Sequence, residues 1–239
     1  MRILVASRNP KKLRELHRLL EAADVTGVEL LSIADVGDYP ENPEDGRTFE
    51  DNAYIKARDG ALATGLPCLA DDSGLAVDEL NGMPGVLSAR WAGGHGDDEA
   101  NWRLLLAQMG DVPERRRGAA FVSTVVLVVP GEGGDGAGAG AAGEGTAGAV
   151  EDGVAEVHTC RGEWRGRVIG EPRGANGFGY DPVFVPNEED SRVAVGRDLD
   201  RHPEARTAAE LDPSEKDSVS HRARALRQIV PLIARMAEA

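Results

Sequence analysis

The sequence predicts an α/β fold of the mixed α+β kind, with strands and helices interspersed along 239 residues. A strand, turn and helix open the chain, a β-branched run from Phe121 to Val129 marks a buried strand, and an amphipathic helix closes it.

At the N-terminus Ile3, Leu4 and Val5 read as a strand, and Leu13, Leu16, Leu19 and Leu20 recur at helical spacing. Asn9 suits the N-cap between them and Pro10 the first helical position. Val28 to Ile33 reads as a second strand, and the acidic, Pro-containing stretch from Asp35 to Arg47 as a loop. Thr48 with Asp51 three residues on resembles a capping box, predicting a helix to about Ala63 that carries Lys56. A short strand at Cys68 to Ala70, an acidic turn at Asp71 and Asp72, and a further strand at Leu75 to Val77 follow. Beyond the Gly- and Pro-rich loop from Asn81 to Gly96, a helix carries Leu104, Leu105, Leu106 and Met109. Phe121 to Val129 pairs with Val154 to Cys160, and the closing helix starts near Val219 with Leu226, Ile229, Ile233 and Met236 along it. Between the paired strands, Gly131 to Gly153 is built of Gly, Ala and acidic residues and reads as a flexible surface insertion. A second, charged insertion covers about 190–206.

Composition narrows the function. A hydrophobic share of 41% and a charged share of 28% are those of a soluble globular protein, and this length buries a sizeable core without requiring a second domain. Arg2 to Ala6 is too short for a signal-peptide core, so export is not expected, and no apolar stretch is long enough to span a bilayer. Cys68 and Cys160 make no metal-type spacing and read as reduced thiols inside strands. A net charge of -14 argues against binding a long nucleic acid. A small polyanion held by a few lysines and a divalent ion remains compatible with it.

Four segments carry candidate chemistry. Ser7-Arg8-Asn9-Pro10-Lys11-Lys12 leads into a helix N-terminus, where free N–H groups and the dipole favour an anion; an ordinary capped surface helix explains the same residues. No G-x-x-x-x-G-K-[ST] occurs, which excludes a P-loop. Asp71-Asp72-Ser73-Gly74 places paired carboxylates where they could bind Mg2+ and orient water, or form a simple Asx turn. Gly177-Phe178-Gly179-Tyr180-Asp181-Pro182 sets aromatic rings between flexible points, suited to stacking on a base or to filling a core. Ser220-His221-Arg222 opens the last helix, capped by Ser218 or Ser220. His221 and Arg222 could face solvent or donate hydrogen bonds to a ligand's acceptor.

In this order, with Lys56 and Lys216 between them, these segments resemble the inosine triphosphate pyrophosphatase family, from Ile3 to about Leu226 apart from the two insertions. Ser7-Arg8-Asn9 stands where the family usually shows Thr-Gly-Asn, and Asn81 to Trp91 looks like its cleft loop. The resemblance implies one domain over 1–239, with a central mixed sheet, two lobes flanking a nucleotide cleft, and a cytoplasmic homodimer. It implies cleavage of ITP, dITP and XTP to the monophosphate and pyrophosphate with Mg2+. It makes Asp72 the proton acceptor and metal ligand, with Glu44 as second metal ligand. Substrate contacts fall to Ser7, Arg8, Asn9, Pro10, Lys11, Lys12, Lys56, Ser73, Phe178, Gly179, Tyr180, Asp181, Lys216, His221 and Arg222, the lysines serving phosphates as point charges. The competing readings are a phosphohydrolase releasing orthophosphate and a non-catalytic nucleotide-binding regulator.

Overall fold

The computed structural model describes residues 1–131, 153–193 and 205–238. Its strands are β1 (Arg2–Val5), β2 (Glu29–Ser32), β3 (Cys68–Val77), β4 (Gly118–Pro130), β5 (Val154–Val168) and β6 (Phe184–Pro186). They form a mixed sheet ordered β2-β1-β3-β4-β5-β6. Leu4 of β1 lies opposite Leu31 on one side and Cys68 on the other, both in parallel pairings, whereas β6 runs antiparallel to β5. The helices are α1 (Pro10–Ala22), α2 (Ile33–Val36), α3 (Phe49–Thr64), α4 (Asp98–Gln108), α5 (Asn187–Val193), α6 (Pro213–Val219) and α7 (His221–Glu238). The chain divides into two compact units, one of Met1–Asp72, Thr124–Cys160 and Leu226–Ala239, the other of Ser73–Ser123 and Arg161–Ala225.

In the first unit the local signals act as the sequence suggests. The Lys11 N–H donates to Asn9 Oδ1 at 3.0 Å, and Pro10 opens α1 without leaving an N–H unsatisfied. Thr48 and Asp51 form a reciprocal capping box at the start of α3. That helix buries Ala53, Ala57 and Ala61, four residues apart, against Leu4, Cys68, Ala70, Val126 and Val128. Small side chains on this stripe let the helix axis approach the sheet closely.

The expected turn at Asp71 and Asp72 is absent. β3 is one continuous strand through both, because each carboxylate finds a cation or amide donor where it stands and neither has to turn to solvent. Strand alternation then points them to opposite faces. Asp72 shares a face with Cys68 and Ala70, beneath α3, and Asp71 meets Lys12 of α1. Ile33, expected to end the second strand, instead opens α2, where the Asp35 carboxylate accepts from the Ser32 N–H at 2.8 Å. That short helix also takes the first residues of the expected loop.

The second unit is organised on aromatic packing. Phe121 of β4, Trp164 of β5 and Phe184 of β6 form one cluster, with Phe121 edge-on to Phe184 at 4.7 Å between centroids. The buried Trp164 indole donates to Glu188 at 3.2 Å. Neither α5 nor α6 was expected. The charged segment read as an insertion enters through α5, where Asp190 pairs with Arg167 at 2.9 Å. It leaves through Arg206, which pairs with Glu189 and Glu215 at 2.8 and 2.6 Å. Residues 194–204 of that segment, and 132–152 of the Gly/Ala/acidic one, lie outside the described residues; at the latter's base Gly131 N–H donates to Gly153 O at 3.0 Å.

The closeness of α3 to the sheet can be tested at Gly60. A Cβ there would lie 2.5 Å from Cys68 Sγ, 3.0 Å from the Tyr39 hydroxyl and 3.1 Å from Leu4 Cδ2. Gly to Ala within a helix normally stabilises by about 1 kcal/mol, but overpacking a dense core costs about 1–3 kcal/mol. Gly60→Ala is therefore expected to lower the thermal midpoint, and adding Cys68→Ala to recover part of the loss. A raised midpoint in the single variant would refute the close approach.

Candidate active site

A pocket of about 180 Å³ in the first unit is lined by Ser7, Arg8 and Lys12 from the first turn and helix, Glu41 and Glu44 from the acidic loop, Lys56 of α3 and Asp71 of β3. Its charges come in compensated sets. Lys12 Nζ donates to Asp71 at 2.8 Å, the Lys side chain 27% exposed and the Asp only 1%. Lys56 Nζ reaches two carboxylates, Glu44 at 3.0 Å and Asp72 at 3.6 Å. Arg8 meets Glu41 at 2.9 Å.

One face of α3 builds most of this arrangement. Asn52, Lys56 and Asp59 recur at helical spacing, and each grips the acidic loop. The Asn42 N–H and side-chain amide donate to Asp59 at 2.7 and 2.9 Å, Lys56 holds Glu44, and the Gly46 N–H donates to Asn52 Oδ1 at 2.9 Å. The other end of the same Asn52 amide donates to Asp72 at 3.1 Å. Asn52 and Asp59 are buried and were missed from sequence. Their signal was their spacing from Lys56. Lys11 is exposed and contributes its backbone N–H to the α1 cap, and Ser73 follows Asp72, half-buried.

In the second unit, Gly177 and Gly179 take the left-handed region at φ 82° and 62°, giving the Gly177–Asp181 segment its tight turn. The two aromatics part company. Phe178 is 75% exposed, whereas Tyr180 is buried and its hydroxyl donates to Ser88 O at 2.9 Å. Asp181, also buried, accepts from the Phe178 N–H at 2.8 Å and from Lys216 Nζ in a short ion pair. Burial pushes the Asp181 carboxyl up from its ordinary range, and the Lys216 ammonium opposes that shift. Lys216 Nζ also lies 5.1 Å from the centre of the Phe178 ring. That lysine stands with the aromatic turn, and Lys12 and Lys56 stand in the first unit's pocket.

α7 begins as expected, with the Ala223 N–H donating to the Ser220 hydroxyl at 3.2 Å. Its first residues do not simply face solvent. Arg222 is buried, and the half-buried His221 ring stacks on Phe121 at 5.1 Å between centroids and 15° between planes. The structure thus groups Gly177 to Asp181 with Lys216, and Ser7 to Lys12 with Glu44, Lys56 and Asp72.

Residues 3–232 match the model of the Ham1 family. The chain belongs to the Ham1 family. It is 53% identical to the dITP/XTP pyrophosphatase of Corynebacterium jeikeium over 100% of both chains. The dITP/XTP pyrophosphatase of Mycobacteroides abscessus is 54% identical over 98% of this chain and 95% of that one. A crystal structure titled nucleoside-triphosphatase / dITP/XTP pyrophosphatase, from Mycobacterium abscessus, superposes with a TM-score of 0.70 at 53% identity, covering 98% of this chain and all of that one. A HAM1 protein from Coxiella burnetii gives 0.75 at 34% identity, covering 98% and 99%. No helix among the described residues is long and apolar enough to cross a membrane.

The Lys12–Asp71 pair offers a stability test. Removing one partner of a largely buried pair leaves an uncompensated charge and costs about 3 kcal/mol, whereas replacing both with apolar residues is often nearly neutral. Lys12→Met is expected to lower the urea midpoint, and Lys12→Met with Asp71→Leu to restore most of it. Equal losses in both proteins would show that the pair is not the source of the cost.

Proposed function

We propose that this chain hydrolyses the deaminated purine nucleoside triphosphates dITP, XTP and ITP to the monophosphate and pyrophosphate. Its full-length relatives at 53% and 54% identity are dITP/XTP pyrophosphatases. The observation that carries the chemical reading is the convergence of Glu44 and Asp72 on one ammonium, in a pocket that also holds Lys12. Asp72 is the proton acceptor for the attacking water, kept oriented by the Asn52 amide at 3.1 Å. Lys12 and Lys56 serve the phosphates as point charges, and the positive dipole end of α1 lies beside the Ser7 to Lys12 turn.

A divalent ion suits the Glu44 and Asp72 donor set. Both offer only carboxylate oxygens, and the Lys56 ammonium shows that the pair already shares one cation. Among the described residues no group of three or more His, Cys, Asp or Glu could hold a metal. Two carboxylates with phosphate oxygens and waters is the way Mg2+ is usually bound, which favours it over ions needing a full protein cage. When bound, the ion supplies neutralisation of phosphate charge.

Phe178 stacks on the base, and His221 and Arg222 supply donors around it. Such a set welcomes a 6-keto acceptor and opposes adenine's amino group. We further propose a homodimer, implied by the family resemblance and checked by light scattering of the purified chain.

Incubation with a panel of triphosphates and Mg2+, scored for pyrophosphate against orthophosphate, tests the reaction. Pyrophosphate from dITP and XTP is expected; orthophosphate alone would make the chain a phosphohydrolase of other regiochemistry. Asp72→Asn should lower turnover by about two orders of magnitude while the fold survives. Near-normal turnover there would discard the assignment.

Arg222→Ala tests base reading. Loss of a charged donor costs about 1.5–3 kcal/mol, or roughly ten- to a hundredfold in kcat/KM for ITP, with ATP affected less. If both substrates fall equally, Arg222 belongs with the phosphate contacts.

A further inference from the structure

Arg8 brings a guanidinium into the pocket that holds Lys12 and Lys56. Its fork is engaged at present. Nη1 lies 2.9 and 3.0 Å from the two oxygens of Glu41, and Nη2 lies 3.8 Å from Asp38. Glu41 is no loose partner, because the next residue, Asn42, is fastened to the buried Asp59 by two hydrogen bonds. The acidic loop therefore holds out a carboxylate as a fixed post, and Arg8 is the part able to move.

We propose that Arg8 and Glu41 form an exchangeable latch over the anion pocket, in which an incoming polyphosphate displaces Glu41 from the Arg8 guanidinium. The proposal rests on the pyrophosphatase reading for the identity of the polyphosphate, but the exchange itself requires only an anion. Two properties favour it. The Arg8 and Glu41 side chains are 65% and 36% exposed, and an ion pair in that setting is weakly held against solvent and salt. The geometry that lets a guanidinium meet a carboxylate also meets phosphate, which brings more charge and more acceptor oxygens than one carboxylate. Glu41 thus acts as a built-in competitor. It keeps the cation in place while the pocket holds no polyanion and sets how strong an anion must be to take it.

Inorganic tripolyphosphate, titrated calorimetrically into the full chain at low salt without metal, tests the exchange free of any contribution from base or turnover. Glu41→Gln should tighten binding about threefold, the scale of an exposed ion pair. Arg8→Gln should weaken it roughly tenfold, the scale of a charged hydrogen bond. The decisive measurement is the double variant: with Arg8 already replaced, Glu41→Gln should leave affinity unchanged. Weaker binding by Glu41→Gln alone would make the pair a structural clamp and overturn the latch. A Glu41→Gln effect that persists undiminished without Arg8 would reduce Glu41 to a general repulsive charge and overturn it equally. Wild-type turnover of dITP, measured in parallel, separates the two readings. Absent cleavage with the expected titrations sinks the pyrophosphatase reading alone, and cleavage with unchanged titrations sinks the latch alone.

Discussion

Two adjacent carboxylates in the middle of a sheet strand are the constraint on which the first unit's site depends. Asp71 and Asp72 lie within β3, where the pleat sends them to opposite faces, Asp71 buried and Asp72 largely so. A buried carboxylate without compensation would cost several kcal/mol, enough to threaten a marginally stable domain. Each must therefore be met on its own face. α1 supplies Lys12 to Asp71, and α3 supplies Asn52 and Lys56 to Asp72. The placement of the two helices and that of the charged groups are thus one problem with one solution.

The approach of α3 carries that solution further. Ala53, Ala57, Ala61 and Gly60 allow the helix close to the sheet, and the adjoining face then holds Asn52, Lys56 and Asp59 against the acidic loop. Larger residues on the packing stripe would lift the helix and move the Asn52 amide away from Asp72. Core volume and site geometry are coupled here through a rigid rod, so substitutions that touch no polar group can still reach the carboxylates.

What the sequence made legible was whatever is encoded over a few residues. The Asn9 and Pro10 start of α1, the Thr48–Asp51 box, the Ser220 cap and the β-branched run in β4 are all local signals, and all are present in the structure. The Asp71-Asp72 pair misled for the same reason. Locally it reads as a turn, and only Lys12, 59 residues away in sequence, and Asn52, 20 away, make it a strand. Asn52 and Asp59 were invisible because a polar residue on a helix looks like a solvated face until the loop it grips is in place. The stacking of His221 on Phe121 likewise depends on β4, some hundred residues earlier. α5 and α6 are short enough that packing, not propensity, decides them.

Charge balance supplies the last step. Every pocket cation described above already has a carboxylate: Arg8 has Glu41, Lys12 has Asp71, and Lys56 has both Glu44 and Asp72. Such a pocket is not an open sink for anions, which accords with a chain whose net charge is -14. On the proposed reading, a triphosphate gains these cations only by competing with the carboxylates that hold them. The competition is unequal. Glu41 is exposed and regains water when released, whereas Asp71, 1% exposed, cannot do so and keeps Lys12 near β3. Asp72 and Glu44 stand between these limits, and Lys56 cannot fully serve both them and a phosphate. A polyanion and a second cation are therefore expected to bind more tightly together than either alone, a coupling that follows from the arrangement of four carboxylates around three basic side chains.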